Sequence, residues 1–107
     1  MASRNDRKSE RFLVGVSRIV IEMSGTDDLK AKRSIVHKVR DRLLQKYGNI
    51  SVAEVGAQDV YDEAILGVCA VSSDRSYLES VLNKIPDFID GMGVCRVLSD
   101  DIDIAIY

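Results

Sequence analysis

Residue types that commonly carry catalytic or metal chemistry are scarce in this 107-residue sequence, which has no tryptophan, one proline, one histidine and two cysteines. The single histidine, His37, excludes a histidine-rich metal site, and Cys69 and Cys95 do not form a Cys-x-x-Cys pair. Neither a P-loop nor a Gly-x-Gly-x-x-Gly segment is present, and no Ser/His/Asp or Cys/His set can be assembled. The sequence therefore predicts no catalytic residue, no metal ligand, no cofactor and no enzymatic activity.

Long hydrophobic runs are also missing, since no apolar segment approaches the roughly 18 residues that span a bilayer. The charged N-terminus is not followed by the apolar region of a secretory signal, so we expect a cytoplasmic protein with no membrane partner. The net charge of −2 excludes a histone-like basic protein. A hydrophobic fraction of 46 % and a charged fraction of 30 % are typical of a soluble globular protein.

Composition divides the chain into a tail and one domain. Residues 1–11 are rich in charge and nearly free of apolar side chains, which predicts a flexible N-terminal tail. Residues 12–107 have the length of a single domain. They alternate between β-rich and amphipathic segments, which predicts strands over 12–23, 50–55, 64–72 and 94–107 and helices following Asp28 and Asp74. We expect a kink or a new turn at Pro86 and an interruption of the last strand near 99–101.

The order βαββαβ predicts an α+β fold, the ferredoxin-like sandwich of a four-stranded antiparallel sheet with two helices on one face. The first and third strands should be central because they are the most apolar. We expect both cysteines to be free thiols, since a strand would separate them.

The other sheet face would be open, and an apolar patch there predicts a homo-oligomer. We assign to this patch the residues Val14, Val16, Val20, Leu66, Val68 and Ala70, with Arg18 and Glu22 placed to pair across it. The alternative is that the tail covers the patch, or that its area is small enough to be tolerated.

The strongest functional signal is an uneven distribution of charge. The first helix carries seven basic residues and one acidic residue, a net charge of +6, whereas residues 47–107 carry a net charge of −8. Basic residues spread along one helix are typical of a phosphate-binding surface. We assign nucleic-acid binding to Lys30, Lys32, Arg33, His37 and Arg40. The alternative is a solvated face whose charges pair with the acidic half of the chain, and Lys32 could pair with Asp28.

One acidic cluster keeps an enzymatic alternative open. Gln58 and Asp59, with Glu54, Asp62 and Glu63, could hold a hard cation or act as an acid and base pair. Turn-forming hydrogen bonds of the Asx type explain Asp59 equally well, and we favour this structural role.

Several segments resemble one known family. Residues 29–33 (Leu-Lys-Ala-Lys-Arg) and 51–59 (Ser-Val-Ala-Glu-Val-Gly-Ala-Gln-Asp), followed by 64–67, resemble the helix start and the S-V-A-E-V-G-x-Q-D stretch of the DUF503 family, also called YlxP-like proteins. Residues 15–18 and 71–74 fit as well. The resemblance implies a small bacterial ferredoxin-like protein that is often encoded beside translation-initiation and ribosome-maturation genes. It implies no established reaction and no known catalytic residue.

Two functions follow as hypotheses. The basic helix, with the gene neighbourhood that the resemblance implies, favours a non-enzymatic accessory factor that binds structured RNA or a ribosomal surface. The alternative is a homo-oligomeric regulatory or scaffolding module that associates through its open sheet face and has no nucleic-acid role.

Overall fold

A computed structural model of the protein describes residues 10–107. Its elements are β1 (Leu13–Glu22), α1 (Leu29–Lys46), β2 (Ile50–Gly56), β3 (Glu63–Ser72), α2 (Arg75–Gly91) and β4 (Arg96–Ile106). This is the predicted βαββαβ order, with small differences in the bounds. The predicted tail over residues 1–11 lies outside the described residues, except for Glu10 and Arg11.

The four strands form one antiparallel sheet in the order β2-β3-β1-β4. The two central strands are β3 and β1, as predicted from their apolar composition. In the register of the sheet, Ser17 on β1 lies opposite Val68 on β3 and Ile102 on β4. The arrangement confirms the ferredoxin-like α+β sandwich.

Both helices pack on the same face of the sheet, because each buries one stripe of apolar side chains. In β1 the odd-numbered residues face this layer, and Ile19, Ile21 and Met23 are fully buried. The helices contribute the following buried apolar residues: Val36, Val39 and Leu43 from α1, and Leu78, Val81, Leu82, Ile85 and Ile89 from α2. The core therefore lies between one sheet face and two helices, and the second sheet face has no layer on it within the described residues.

Each helix begins at an aspartate. The Asp28 carboxylate accepts a hydrogen bond of 2.7 Å from the Ala31 backbone N–H, and the Asp74 carboxylate accepts one of 3.2 Å from the Tyr77 N–H. These bonds satisfy backbone donors that the first helical turn leaves free. The helix starts predicted after Asp28 and Asp74 are confirmed, and the Asp28 carboxylate caps α1 rather than pairing with Lys32.

Pro86 lies inside α2 without ending it, since the helix continues from Arg75 to Gly91. No new helix starts at Pro86, which corrects one of the two outcomes expected from the sequence. The surrounding side chains explain the continuity, because Ile85 and Ile89 on either side of the proline are both fully buried in the core. Tertiary packing thus holds the helix through a residue that removes one backbone hydrogen bond.

The side of β3 that faces the helices is opposite to the side predicted. Leu66, Val68 and Ala70 were assigned to the open face, yet they are 0 %, 2 % and 2 % exposed and belong to the core. The open face instead carries the odd-numbered residues, which lie opposite the even-numbered residues of β1. The assignment was wrong because a strand that is apolar at every position does not indicate which set of side chains points inward.

The last strand is continuous from Arg96 to Ile106, and the predicted interruption near residue 99 is wrong. A change of register replaces it: Val20 lies opposite Ser99 and Ile21 opposite Val97, so that Leu98 is an extra residue in β4. Such a bulge increases local twist at a sheet edge. The aspartates that suggested a break are accommodated because β4 is an edge strand where they remain exposed.

A buried serine on β1 supports a stability prediction. Ser17 is 3 % exposed, and its hydroxyl has no hydrogen-bond partner among the described residues. Because a buried hydroxyl without a partner is destabilising, Ser17→Ala should raise the free energy of unfolding by about 1 kcal/mol in urea denaturation. The exposed Ser51→Ala change is the matched control and should alter stability by less than about 0.5 kcal/mol. A loss of stability in Ser17→Ala would contradict the expectation.

Both cysteines are free thiols in the structure, as expected. Cys69 lies opposite Val16 in the sheet, whereas Cys95 precedes Arg96, which lies opposite Glu22. Six residues of strand therefore separate their positions along β1, roughly 20 Å at the rise of an extended chain. The thiols are further apart than the strand order alone suggested.

Candidate functional site

The exposed face of α1 is strongly basic. Four members of the predicted nucleic-acid-binding set are exposed there and are spaced by three, four and three positions: Lys30, Arg33, His37 and Arg40. Residues at this spacing share one side of a helix, and the span of ten residues corresponds to about 15 Å. We call these four residues the basic ridge. Lys38, Arg42 and Lys46 are also exposed on α1 and add further positive charge.

The exposed cations of α1 are not neutralised by direct ion pairs. Across residues 10–107, the ion pairs within 4.0 Å are Lys32–Glu54, Arg75–Glu79 and Arg96–Glu22, and none of them involves an exposed residue of α1. Six basic side chains face solvent on this helix against the single acidic Asp41, a net charge of +5. Pairing with the acidic half of the chain, the alternative left open above, is therefore not seen among these residues.

Lys32 does not belong to this surface, which corrects the predicted set. Its side chain is 2 % exposed, and its ammonium lies 2.9 Å from the Glu54 carboxylate. The same ammonium donates a hydrogen bond to the backbone carbonyl of Ala57, a residue in the left-handed conformation at φ 57°. A buried and paired ammonium cannot reach a phosphate on the outside of the helix, so the role of Lys32 is structural.

This ion pair joins the two segments that resemble one family most strongly. Lys32 belongs to the Leu-Lys-Ala-Lys-Arg segment, and Glu54 and Ala57 belong to the Ser-Val-Ala-Glu-Val-Gly-Ala-Gln-Asp segment. Gly56 lies between Glu54 and Ala57 and has a steric reason to be glycine, because a Cβ at this position would lie 2.9 Å from Cδ1 of Ile65. The two motifs therefore form one structural junction between the first turn of α1 and the end of β2.

A signal in the sequence could have identified the pair. Lys32 falls within the apolar arc of α1, and Glu54 has the same parity as the buried Ile50 and Val52 of β2. Opposite charges on two faces that pack together are expected to form an ion pair, since an unpaired buried charge is very unfavourable. The sequence interpretation considered Asp28 because it is close to Lys32 along the chain.

The acidic cluster does not assemble into a metal site. Glu54 turns toward Lys32 on the helical side of the sheet, and Gln58 and Asp59 are exposed in the following loop. This loop is held by backbone hydrogen bonds, from Val60 N–H to the Ala57 carbonyl at 3.0 Å and from Met23 N–H to the Asp62 carbonyl at 2.8 Å. Over residues 10–107, no group of three or more His, Cys, Asp or Glu side chains is placed to hold a metal ion.

The open sheet face forms a shallow trough of about 810 Å³. Small residues line part of the trough: Ser51 and Ala53 on the edge strand β2, and Gly67 on β3. The trough is also lined by apolar and charged side chains that neighbour one another across the strands: Val16, Arg18, Val55, Cys69, Asp101 and Asp103. Val16 is 42 % and Val55 is 55 % exposed. The sequence predicted an apolar open face but missed its concavity and the two aspartates.

The charges on the open face pair differently from the prediction. Glu22 pairs with Arg96, which lies directly opposite on β4, at 3.1 Å. Arg18 lies opposite Asp101 in the register, yet within residues 10–107 no carboxylate lies within 4.0 Å of its guanidinium. The trough thus holds one cation and two anions that do not form a close ion pair with each other.

Two aromatic side chains lie at one end of the open face. Phe12 and Tyr107 stack with ring centroids 5.7 Å apart, beyond the ends of β1 and β4. In proteins that read single-stranded RNA on such a sheet, bases stack on aromatic residues of the strands. The trough has apolar aliphatic residues and two carboxylates in that position, so the sheet face is unsuited to this mode of RNA binding.

The Cys95 thiol is a poor nucleophile. Burial, with a smaller contribution from the Asp90 carboxylate, raises the pKa of Cys95 to about 11. The Cys95 side chain is therefore a thiol rather than a thiolate at neutral pH, and the thiolate is the reactive form.

Neither helix in the described part of the chain is long and apolar enough to cross a membrane.

Comparison with known proteins places this arrangement in context. Residues 14–102 match the family described as "Protein of unknown function (DUF503)". The Bacillus subtilis (strain 168) protein "Uncharacterized protein YlxP" is 37 % identical over 62 residues, which are 58 % of this chain and 66 % of that protein.

Two solved structures match this chain over most of its length. The structural-genomics protein YJCS has a TM-score of 0.51 at 9 % identity and covers 84 % of this chain and 96 % of its own. A de novo designed protein with a ferredoxin fold has a TM-score of 0.43 at 16 % identity, over 88 % of this chain and 83 % of its own. At such identities, the likeness to YJCS concerns the fold alone.

The family match covers most of the chain, and the two motifs that suggested it from sequence meet at the Lys32–Glu54 junction. The chain therefore belongs to the DUF503 family and is similar to the Bacillus subtilis protein YlxP.

Proposed function

We propose that the protein is a non-enzymatic, cytoplasmic accessory factor that binds the phosphate backbone of structured RNA, free or on a ribosomal surface, through the basic ridge of α1. The observation that supports this proposal is the exposure of six α1 cations without a carboxylate within 4.0 Å among the described residues. Unpaired cations on one helix raise the local concentration of polyanions and contact phosphates without reading sequence.

The distribution of the remaining charges limits where RNA can bind. Asp101 and Asp103 on the trough repel phosphates, so the sheet face is excluded from the interface. The neighbouring helix α2 carries three acidic and two basic residues and offers no second basic surface. Among residues 10–107, we therefore expect the contact with RNA at α1. The gene neighbourhood implied by the family resemblance favours RNA over DNA as the polyanion.

Binding of this kind should depend steeply on salt. The probe is a fluorescein-labelled RNA hairpin of roughly 20 base pairs, a length that accommodates the footprint of a small double-stranded RNA-binding domain. With about three phosphate contacts, the affinity measured by fluorescence anisotropy should fall about 40-fold between roughly 50 and 200 mM salt. Affinity that does not change with salt would contradict the proposal.

Reversal of two ridge charges locates the interface. Arg33→Glu with Arg40→Glu should weaken binding of the hairpin at least about tenfold and reduce the salt slope by about two. The matched control, Arg75→Glu with Lys84→Glu, changes the net charge equally but on α2, and it should alter affinity by less than about threefold. Equal losses in both variants would indicate a general charge effect and would overturn the assignment to α1.

A further inference from the structure

The RNA-binding proposal leaves the open sheet face unused. It combines exposed aliphatic side chains, a concave surface and three charged side chains, Arg18, Asp101 and Asp103, that do not pair closely with one another. We propose that this face binds a second copy of the chain, with the two sheets packed face to face and Arg18 of each copy paired with Asp101 and Asp103 of the other. This assembly does not depend on RNA binding by α1.

Apolar exposure is the first argument for a covered face. Four apolar side chains are between 42 % and 55 % exposed: Phe12, Val16, Val55 and Val71. Val16 on β1 and Val71 on β3 lie on adjacent strands of the same face. Contiguous apolar patches of this kind mark interaction surfaces in soluble proteins. A second identical sheet offers the same chemistry and covers both patches at once.

Charge complementarity selects a second copy as the occupant. Glu22 and Arg96 lie opposite each other in the sheet and form an ion pair of 3.1 Å within one chain. Arg18 and Asp101 lie opposite each other in the same way, but their charged groups are more than 4.0 Å apart. In a twofold contact, every Arg18-to-carboxylate pair occurs twice. The guanidinium can bind a carboxylate through two parallel hydrogen bonds, which gives the contact orientation as well as strength.

The dimensions of the face suit such a contact. Four strands about 4.8 Å apart and about ten residues long give a face of roughly 600 Å². Two copies would bury about 1,200 Å² in total, the lower limit for a stable interface. Facing sheets lie about 10 Å apart, and the trough of about 810 Å³ leaves room for side chains of the second copy. The dimer should therefore form reversibly with concentration, and α1 of each copy would remain on the outside.

Sedimentation velocity of the full chain over a range of concentrations tests the assembly. The wild-type protein should convert from monomer to dimer as concentration rises. Arg18→Glu should weaken the dimer at least about 30-fold, and Asp101→Arg with Asp103→Arg should do the same, because each leaves like charges facing one another. The triple variant Arg18→Glu, Asp101→Arg, Asp103→Arg should recover the dimer. Arg33→Glu on α1 is the matched control and should leave association unchanged.

The outcomes are distinct. A wild-type protein that stays monomeric throughout overturns the proposal, as does a dimer that Arg18→Glu leaves intact, since the copies would then join through an edge strand or a helix. Failure of the triple variant to dimerise while the partial variants are monomeric overturns the reciprocal pairing.

A measurement on the wild-type chain covers the case in which a variant does not fold. Cys69 lines the trough and Cys95 lies outside it. Alkylation of Cys69 should become slower as concentration rises, while the rate at Cys95 should not change. Equal behaviour of the two thiols would contradict a contact through the trough.

Discussion

Replacing Glu54 with alanine should lower the free energy of unfolding by about 3 kcal/mol, because it leaves a buried ammonium without its carboxylate. The Lys32 side chain is 2 % exposed and, among residues 10–107, would keep the Ala57 carbonyl as its one polar contact. The loss should appear in urea denaturation as a lower midpoint with an unchanged slope.

A double substitution distinguishes the charge from the packing. Lys32→Met with Glu54→Leu removes both charges and keeps the volume, so it should recover most of the stability that Glu54→Ala loses. It should also leave affinity for the RNA hairpin within about threefold of wild type, because Lys32 is not part of the basic ridge. A loss below about 1 kcal/mol in Glu54→Ala would mean that solvent screens the pair as it does a surface ion pair.

Leu82→Ala should destabilise the protein by a similar amount, about 3 kcal/mol, through a cavity between α2 and β1. Leu82 is fully buried, and a Cβ added at Gly15 would lie 2.7 Å from its Cδ1 atom. Gly15 is thus the position at which β1 makes room for the helix. Adding Gly15→Ala to Leu82→Ala should recover about 1 kcal/mol, because the new methyl group fills part of the cavity.

The single Gly15→Ala variant completes this cycle. It should destabilise by about 1 kcal/mol or less, since crowding of Leu82 is partly offset by the smaller entropy of the unfolded chain. Gly48→Ala is the matched control, because an added Cβ there meets no atom within 4 Å. Strictly additive effects of the changes at positions 15 and 82 would contradict a shared cavity.

Most of the fold follows from local patterns in the sequence. The apolar stripes of α1 and α2, the caps at Asp28 and Asp74 and the end of α2 at Gly91 depend on side chains within one turn of each other. The strand order follows from the number and sequence of elements together with the apolar composition of β1 and β3. These features could be predicted because their causes lie close together along the chain.

The candidate site was predicted only in part. Lys30, Arg33, His37 and Arg40 lie on the exposed face of α1, where helical periodicity placed them, and RNA binding by them stays a prediction. Lys32 lies on the same helix but is buried, because its partner Glu54 is 22 positions away along the chain and reaches it only after β2 has packed under α1. Periodicity within one element cannot identify such a partner.

The sequence by itself determined the order of elements, the two helix starts and the basic character of α1, since each depends on neighbouring residues alone. Tertiary structure alone decided which side of β3 faces the helices, which charge of α1 is buried and which residues line the trough. A strand that is apolar throughout carries no local signal for its inward side, and an ion pair between distant segments exists only once the sheet and helices have packed.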